Sequence, residues 1–324
     1  MHLVTGMLIA AAMVGISHKL ARAEKWDMPM AYSVANYHSE NAVQFGKCVA
    51  EKSGNALEIV TRPDGLMFAG RNIKRAVQNG QANIGERLIS AHLDESPIYG
   101  IDSVPFLATS FEASEKLWKA AGDIIQATLA NDNLVYIYSV PWPPQGIYTK
   151  KEITAVTELK GIRFRAYNPA TARIAELAEM VPVQVETAQL SQAISRGEAE
   201  AFISSGSTGY DRKIWRQLKN FNDVQAWFPR NVVFANKDAW NALDVRKQGA
   251  LLDCGAKAAA DGLVRARELT DFYLRGLEDN GMRVRAPSEE LKSGLKAMGD
   301  RMTAEWLLKA GTAGKAIIEA YQKM

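Results

Sequence analysis

A strand, a helix and a second strand follow one another within about 40 residues, and that order commits the chain to a parallel α/β sheet. Residues 26–32 read as the first strand. Ala42, Phe45 and Val49 then recur at helical spacing across residues 39–53, Gly54 stops the helix, and residues 56–61 read as the second strand. The alternation continues with a helix over 72–79, a short strand over 82–85, a helix over about 112–131 and a buried strand over 134–140. Thr109 and Glu112 have the spacing of a capping box for the third helix. Pro141-Trp142-Pro143-Pro144-Gln145-Gly146 breaks regular structure, as a crossover between two lobes would.

A second α/β run follows, with strands expected at 162–165, 182–185, 199–203 and 232–235 and helices at 170–180 and 188–196. From about Val245 to Asn280 the chain contains no Pro and only Gly249, Gly255 and Gly262 as weak breakers. That is one very long helix, or two joined by a bend, and in a chain of 324 residues it is expected to run across both halves. Residues 283–285 could form a last strand, and the chain from Ser288 onward reads as helical.

The segment richest in chemistry is Gly161-Ile162-Arg163-Phe164-Arg165-Ala166-Tyr167-Asn168-Pro169. Apolar and basic residues alternate as in a short strand, and Asn168-Pro169 is an N-cap followed by a first helical residue. Arg165 is thereby delivered to the mouth of a helix, whose free N–H groups and positive end favour an anion. Its planar fork can pair with a carboxylate. A solvated arginine, or one paired with a local Glu, is the plain alternative.

With 47% hydrophobic and 23% charged residues the composition is ordinary for a globular protein. The first 23 residues stand apart. Leu3 to Ile16 is apolar or small except for Thr5, and Ala21-Arg22-Ala23 has the small-x-small form of a signal-peptidase site. Residues 1–23 are read as a secretory signal cleaved before Glu24, although no Lys or Arg precedes the apolar run; an uncleaved amino-terminal anchor is the alternative.

Lys and Arg number 39 against 36 Asp and Glu, so removing Lys19 and Arg22 with the leader lowers the formal charge from +3 to +1 (37 minus 36). No basic stripe with interleaved aromatics appears, so a nucleic-acid partner is not expected. Only His38 and His92 remain outside the leader, without metal-ligand spacing, so no metal is expected. Cys48 and Cys254 share no motif; two buried free thiols are the expectation, with pairing in an oxidising compartment as the alternative.

Set in order, several segments carry a family resemblance: Asn36-Tyr37-His38; Glu51-Lys52-Ser53-Gly54; Arg75-Ala76-Val77-Gln78-Asn79-Gly80-Gln81-Ala82-Asn83-Ile84-Gly85; Pro105-Phe106-Leu107; Leu159 to Arg165; and Gln192 to Ala201. The chain resembles the solute-binding proteins of tripartite ATP-independent periplasmic (TRAP) transporters, of the DctP type. The resemblance implies a two-lobed, type II-like periplasmic fold with a long lobe-spanning helix. It also implies a small organic anion as ligand, membrane permease subunits as partners, no cofactor, a monomer, and a periplasmic location. The expected division is 24–144 with about 236–270 in one lobe, and 145–235 with about 271–324 in the other.

Carried over position by position, Arg165 falls on the family's carboxylate-binding arginine and Asn168 on a nearby polar contact. Glu86 and Asn36 fall on cleft-facing positions. Gln145-Gly146-Ile147-Tyr148 lacks the second cleft arginine of sialic-acid-type members. Ser204 and Ser205 stand at a strand's carboxyl end where relatives carry Asp-Gly, which suits a cleft that bonds a ligand's oxygens. Trp142, Tyr148, Trp215 and Trp227 lie in or near cleft segments, at most two of the four being expected on the ligand and the others in the core.

One arginine among aromatic walls favours a monocarboxylate with an apolar or aromatic body. Arg163 is expected to point away and contribute little. The competing readings are an ABC-type or tricarboxylate-type receptor, and an enzyme on a similar fold, for which no nucleophile–base order or phosphate loop is visible.

Overall fold

The computed structural model describes residues 23–324; the leader expected over 1–23 lies, save Ala23, outside the described residues. The first lobe begins with β1 (Glu24–Pro29), α1 (Tyr37–Ser53) and β2 (Leu57–Arg62), β1 and β2 pairing in parallel as the crossover helix requires. Then come α2 (Ile73–Gln78), β3 (Ile84–Leu88), α3 (Phe111–Asn131) and β4 (Leu134–Pro141). Ser110, not Thr109, caps α3, its side chain accepting from the Ala113 N–H.

The Pro-rich segment after β4 carries the chain into the sheet of the second lobe. Its elements are β5 (Gln145–Thr149), β6 (Arg163–Ala166), α4 (Pro169–Leu177), β7 (Val181–Gln184), α5 (Leu190–Ser195), β8 (Ala201–Ser205), α6 (Gly206–Asp211) and β9 (Asn220–Asn222). β10 (Arg230–Asn236) then returns to lie between β3 and β4, antiparallel to both. The sequence division put this strand with the second lobe, but its pairing puts it with the first. A strand's sheet is chosen by long-range partners that its own residues do not reveal.

The chain closes with α7 (Lys237–Ala242), α8 (Val245–Asp279), β11 (Arg283–Arg285) and α9 (Glu289–Gln322). The first lobe holds two sheets, β1-β2 and β3-β10-β4, and the second lobe one mixed sheet in the order β11-β9-β5-β8-β6-β7. α8 is a single helix of 35 residues, packing on α1 and β4 of the first lobe and on α6 and β11 of the second, so it spans both. The glycine that looked like a weak breaker has a packing reason: a Cβ at Gly262 would meet Val140 Cγ2 at 2.6 Å, so the small residue lets helix and strand approach. α9 likewise touches both lobes, through α3 on one side and α4 on the other.

The two cysteines are not free thiols. Cys48 on α1 and Cys254 on α8 form a disulfide with Cα atoms 5.8 Å apart and 206 residues between them in sequence. Cys254 is buried and Cys48 partly buried, and the helices that carry them are packed neighbours. Spacing along the chain carries no trace of that contact.

Candidate functional site

A small cavity lies between the two lobes, and Arg165 is one of its walls. β6 runs in register with β7 and β8, which brings Arg165 opposite Val183 and Phe202 at the inner end of the strand. Arg165 is 1% exposed. Its Nε donates to the Val185 carbonyl at 2.9 Å and Nη2 donates to Thr187 Oγ1 at 3.2 Å, leaving the rest of the fork for the cavity it lines. The Tyr167 ring lies 5.0 Å from the guanidinium carbon. Burial lowers the Arg165 pKa to about 10, so it is still a cation at neutral pH. Among the described residues no carboxylate forms an ion pair with it, and a buried, unmatched cation is costly until an anion arrives.

Arg163 is half exposed and pairs with Glu200 at 3.3 Å. Two residues apart on a strand, Arg163 and Arg165 share a face, so the expected opposite orientation is not the reason for its absence from the site. Arg163 sits at the outer end of β6 and Arg165 at the end facing the other lobe.

Trp142, Ser204 and Ser205 line the same cavity. The Trp142 indole N–H donates to Asn231 Oδ1 at 2.8 Å, which holds the ring in place, and Tyr32 packs edge-on against it at 4.7 Å. Ser204 Oγ is bonded to Thr208 Oγ1 at 2.9 Å, whereas Ser205 Oγ is buried without a partner.

Tyr148 is not a cleft residue. It is fully buried, stacked on Phe202 at 4.3 Å, and its hydroxyl donates to the Ser205 carbonyl at 2.8 Å. Gln145, three positions earlier on β5 and therefore on the other face, lines the cavity instead, receiving a hydrogen bond of 3.1 Å from the Tyr167 hydroxyl. Trp227 is buried away from this cavity, and Trp215 packs beside the second lobe's core.

Asn168, Asn36 and Glu86 are near the cavity without lining it. Asn168 caps α4 in a reciprocal capping box with Thr171, and its Nδ2 donates across the lobes to Ser90 Oγ at 3.0 Å. Asn36 caps α1 and reaches across to Asp211, Nδ2 to Oδ2 at 2.7 Å. Burial raises the Asp211 pKa to about 6. Glu86 lies within β3, not after it, and accepts from Asn231 Nδ2 at 2.6 Å, with His38 Nδ1 at 3.4 Å. Burial pushes the Glu86 carboxyl up to about 7 and pushes the His38 imidazole down.

Sequence reasoning missed a second arginine. Arg87, next to Glu86 on β3, lines the cavity opposite Arg165 and points its Nη2 at Glu186 Oε2, 3.4 Å away on the second lobe. The expectation of a single cleft arginine rested on the 145–148 segment, whereas the second one is supplied by the other lobe. Tyr32, Tyr167, Thr187 and Thr208 complete most of the polar wall. The carboxyl end of an expected strand after Ile84 was the available signal for Arg87; nothing local marks Glu186 or Thr187.

A family model described as bacterial extracellular solute-binding protein, family 7 (DctP) matches residues 30–309. A marine metagenome TRAP solute-binding protein specific for pyroglutamate, solved with co-purified pyroglutamate, is 50% identical, with a TM-score of 0.93 over 94% of this chain and 100% of that one. The Bordetella pertussis receptor DctP6, an extracytoplasmic solute receptor binding pyroglutamic acid, is 44% identical, with a TM-score of 0.92 over 93% of this chain and 100% of that one. A curated protein of Nostoc sp., a monocarboxylate 2-oxoacid-binding periplasmic protein, is 25% identical over 225 residues, 68% of this chain. The match spans 62% of that relative, less than two thirds of its length.

Proposed function

The chain belongs to the DctP family of bacterial extracellular solute-binding proteins, and we propose that it is a TRAP receptor capturing a small cyclic monocarboxylate of the pyroglutamate type. The observation that carries this reading is the buried Arg165 cation, without an acidic partner among the described residues, on the wall of an inter-lobe cavity. A carboxylate there gains a charge-assisted fork pairing and meets the dipole end of α4 nearby. Trp142 and Tyr32 provide apolar walls for a compact ring, and the two receptors 50% and 44% identical to this chain support pyroglutamate over other acids.

The lobes are held by Arg87–Glu186, Asn36–Asp211 and Asn168–Ser90, contacts that would form as the lobes close on the ligand. The receptor binds without chemistry, acts as a monomer in the periplasm after loss of residues 1–23, and passes its ligand to the membrane permease subunits of a TRAP transporter.

Thermal-shift measurements on the chain from Glu24 onward, against pyroglutamate, proline, pyruvate, orotate, glucuronate and succinate, test the ligand. Pyroglutamate should raise the melting temperature most. A shift with sugar acids or succinate and none with pyroglutamate would overturn the reading.

A further inference from the structure

Besides Arg165, the charged groups lining the cavity are Arg87 and Glu186, opposite in sign and carried by different lobes. Their one hydrogen bond, Arg87 Nη2 to Glu186 Oε2 at 3.4 Å, is longer than the 2.7–2.9 Å of a tight charge-assisted bond and leaves most of each group's bonding capacity free for a third partner. Arg87 is 4% exposed and its Nε is buried without a partner. Gly70 presses on the pair from the first lobe: a Cβ there would lie 2.9 Å from both Arg87 Nη1 and Glu186 Oε2. The two side chains are thus held side by side, a donor-only group next to an acceptor-only group, at the cavity edge.

We propose that Arg87 and Glu186 together read the cyclic amide of the ligand, Arg87 donating to the ring carbonyl and Glu186 accepting from the ring N–H. In a lactam these two groups are adjacent and forced cis, one acceptor beside one donor, which is the complement of the pair. An open-chain acid or a ring without N–H leaves the Glu186 carboxylate facing an oxygen or carbon, with an acceptor unsatisfied or repelled. The pair also sets the charge: two guanidinium groups and one carboxylate leave the site one positive charge to match a single anionic group. The inference rests on the ligand reading above and assigns residues to the half of the ligand that Arg165 does not hold.

The experiment compares pyroglutamate with its lactone analogue, 5-oxotetrahydrofuran-2-carboxylate, by calorimetry on the unaltered receptor and on Glu186→Gln and Arg87→Met. The lactone keeps ring size, carbonyl and carboxylate and replaces only the N–H by oxygen. The unaltered receptor should prefer the lactam by at least about 100-fold. Glu186→Gln, which can turn its NH₂ toward the lactone oxygen, should bring the two ligands within about threefold of each other. Arg87→Met should weaken both by about tenfold or more while keeping their ratio above about tenfold. Equal binding of lactam and lactone by the unaltered receptor, or an unchanged ratio in Glu186→Gln, would overturn the assignment and leave the ligand reading standing. Failure of pyroglutamate to bind at all, with another acid binding, would remove the ligand reading and this assignment with it.

Discussion

Arg165 is fixed from behind by the Val185 carbonyl, to which its Nε donates at 2.9 Å, so the guanidinium enters the cavity already oriented. A residue so placed gives up little rotational freedom on binding, which is where a preorganised receptor gains affinity. Replacing Arg165 by Ala should weaken carboxylate binding by roughly 2–5 kcal/mol, at least tenfold. Arg165→Lys keeps the charge but not the fork and should recover only part of it. Calorimetry with both variants checks this, and unchanged affinity in Arg165→Ala would remove Arg165 from the site.

The Cys48–Cys254 disulfide closes a loop of 206 residues and ties α1 to the long α8. The chain-entropy model assigns a loop of that size a stabilisation of about 5 kcal/mol, through the unfolded state. A Cys48→Ala/Cys254→Ala variant, or the reduced protein, should melt well below the oxidised form, while ligand stoichiometry stays the same. Equal melting temperatures with and without reductant would contradict the bridge's stabilising role.

Glu86 should make stability fall as pH rises. Its folded pKa, raised to about 7 by burial, lies above the usual carboxylate value of 4.5, so between these values the folded state binds more protons than the unfolded one. Stability from this group is therefore full below about pH 4.5 and declines up to about pH 7, by roughly 3 kcal/mol in total. Asp102, also raised to about 7 by burial, acts in the same direction. Glu86→Gln should flatten part of the slope in melting temperature between pH 5 and pH 8; an identical slope in the variant would sink the assignment.

Gly70→Ala tests how closely the turn is set against the ion pair. The added methyl meets the mobile ends of Arg87 and Glu186 at 2.9 Å and not the backbone, so those ends can move aside. Ligand affinity should fall by about three- to tenfold with a melting temperature lowered by no more than about 2 °C. Full affinity in this variant would mean that the pair's position is not needed for binding.

The parts of this site that were legible in the sequence are those made by neighbours along the chain. Asn168 and Pro169 announced the start of α4, and the strand before them placed Arg165 at its mouth. Tyr148 was misplaced because strand parity decides which of two nearby residues faces the cleft, and Gln145, not Tyr148, has that parity. Asn36 and Asn168, expected on the ligand, spend their amides on Asp211 and Ser90 of the opposite lobe, partners that no local pattern reveals. The Arg87–Glu186 pair and the Cys48–Cys254 bridge join positions 99 and 206 residues apart, and no local pattern encodes a meeting at that distance. The strand β10 went to the first lobe for the same reason.

The most direct test of the account is calorimetric titration of the chain from Glu24 onward with pyroglutamate, beside succinate and glucuronate as controls. One pyroglutamate should bind saturably per chain, with binding lost or weakened at least tenfold in Arg165→Ala and the controls much weaker. Binding of succinate or glucuronate with no heat from pyroglutamate, or pyroglutamate binding untouched by loss of the Arg165 guanidinium, would contradict it.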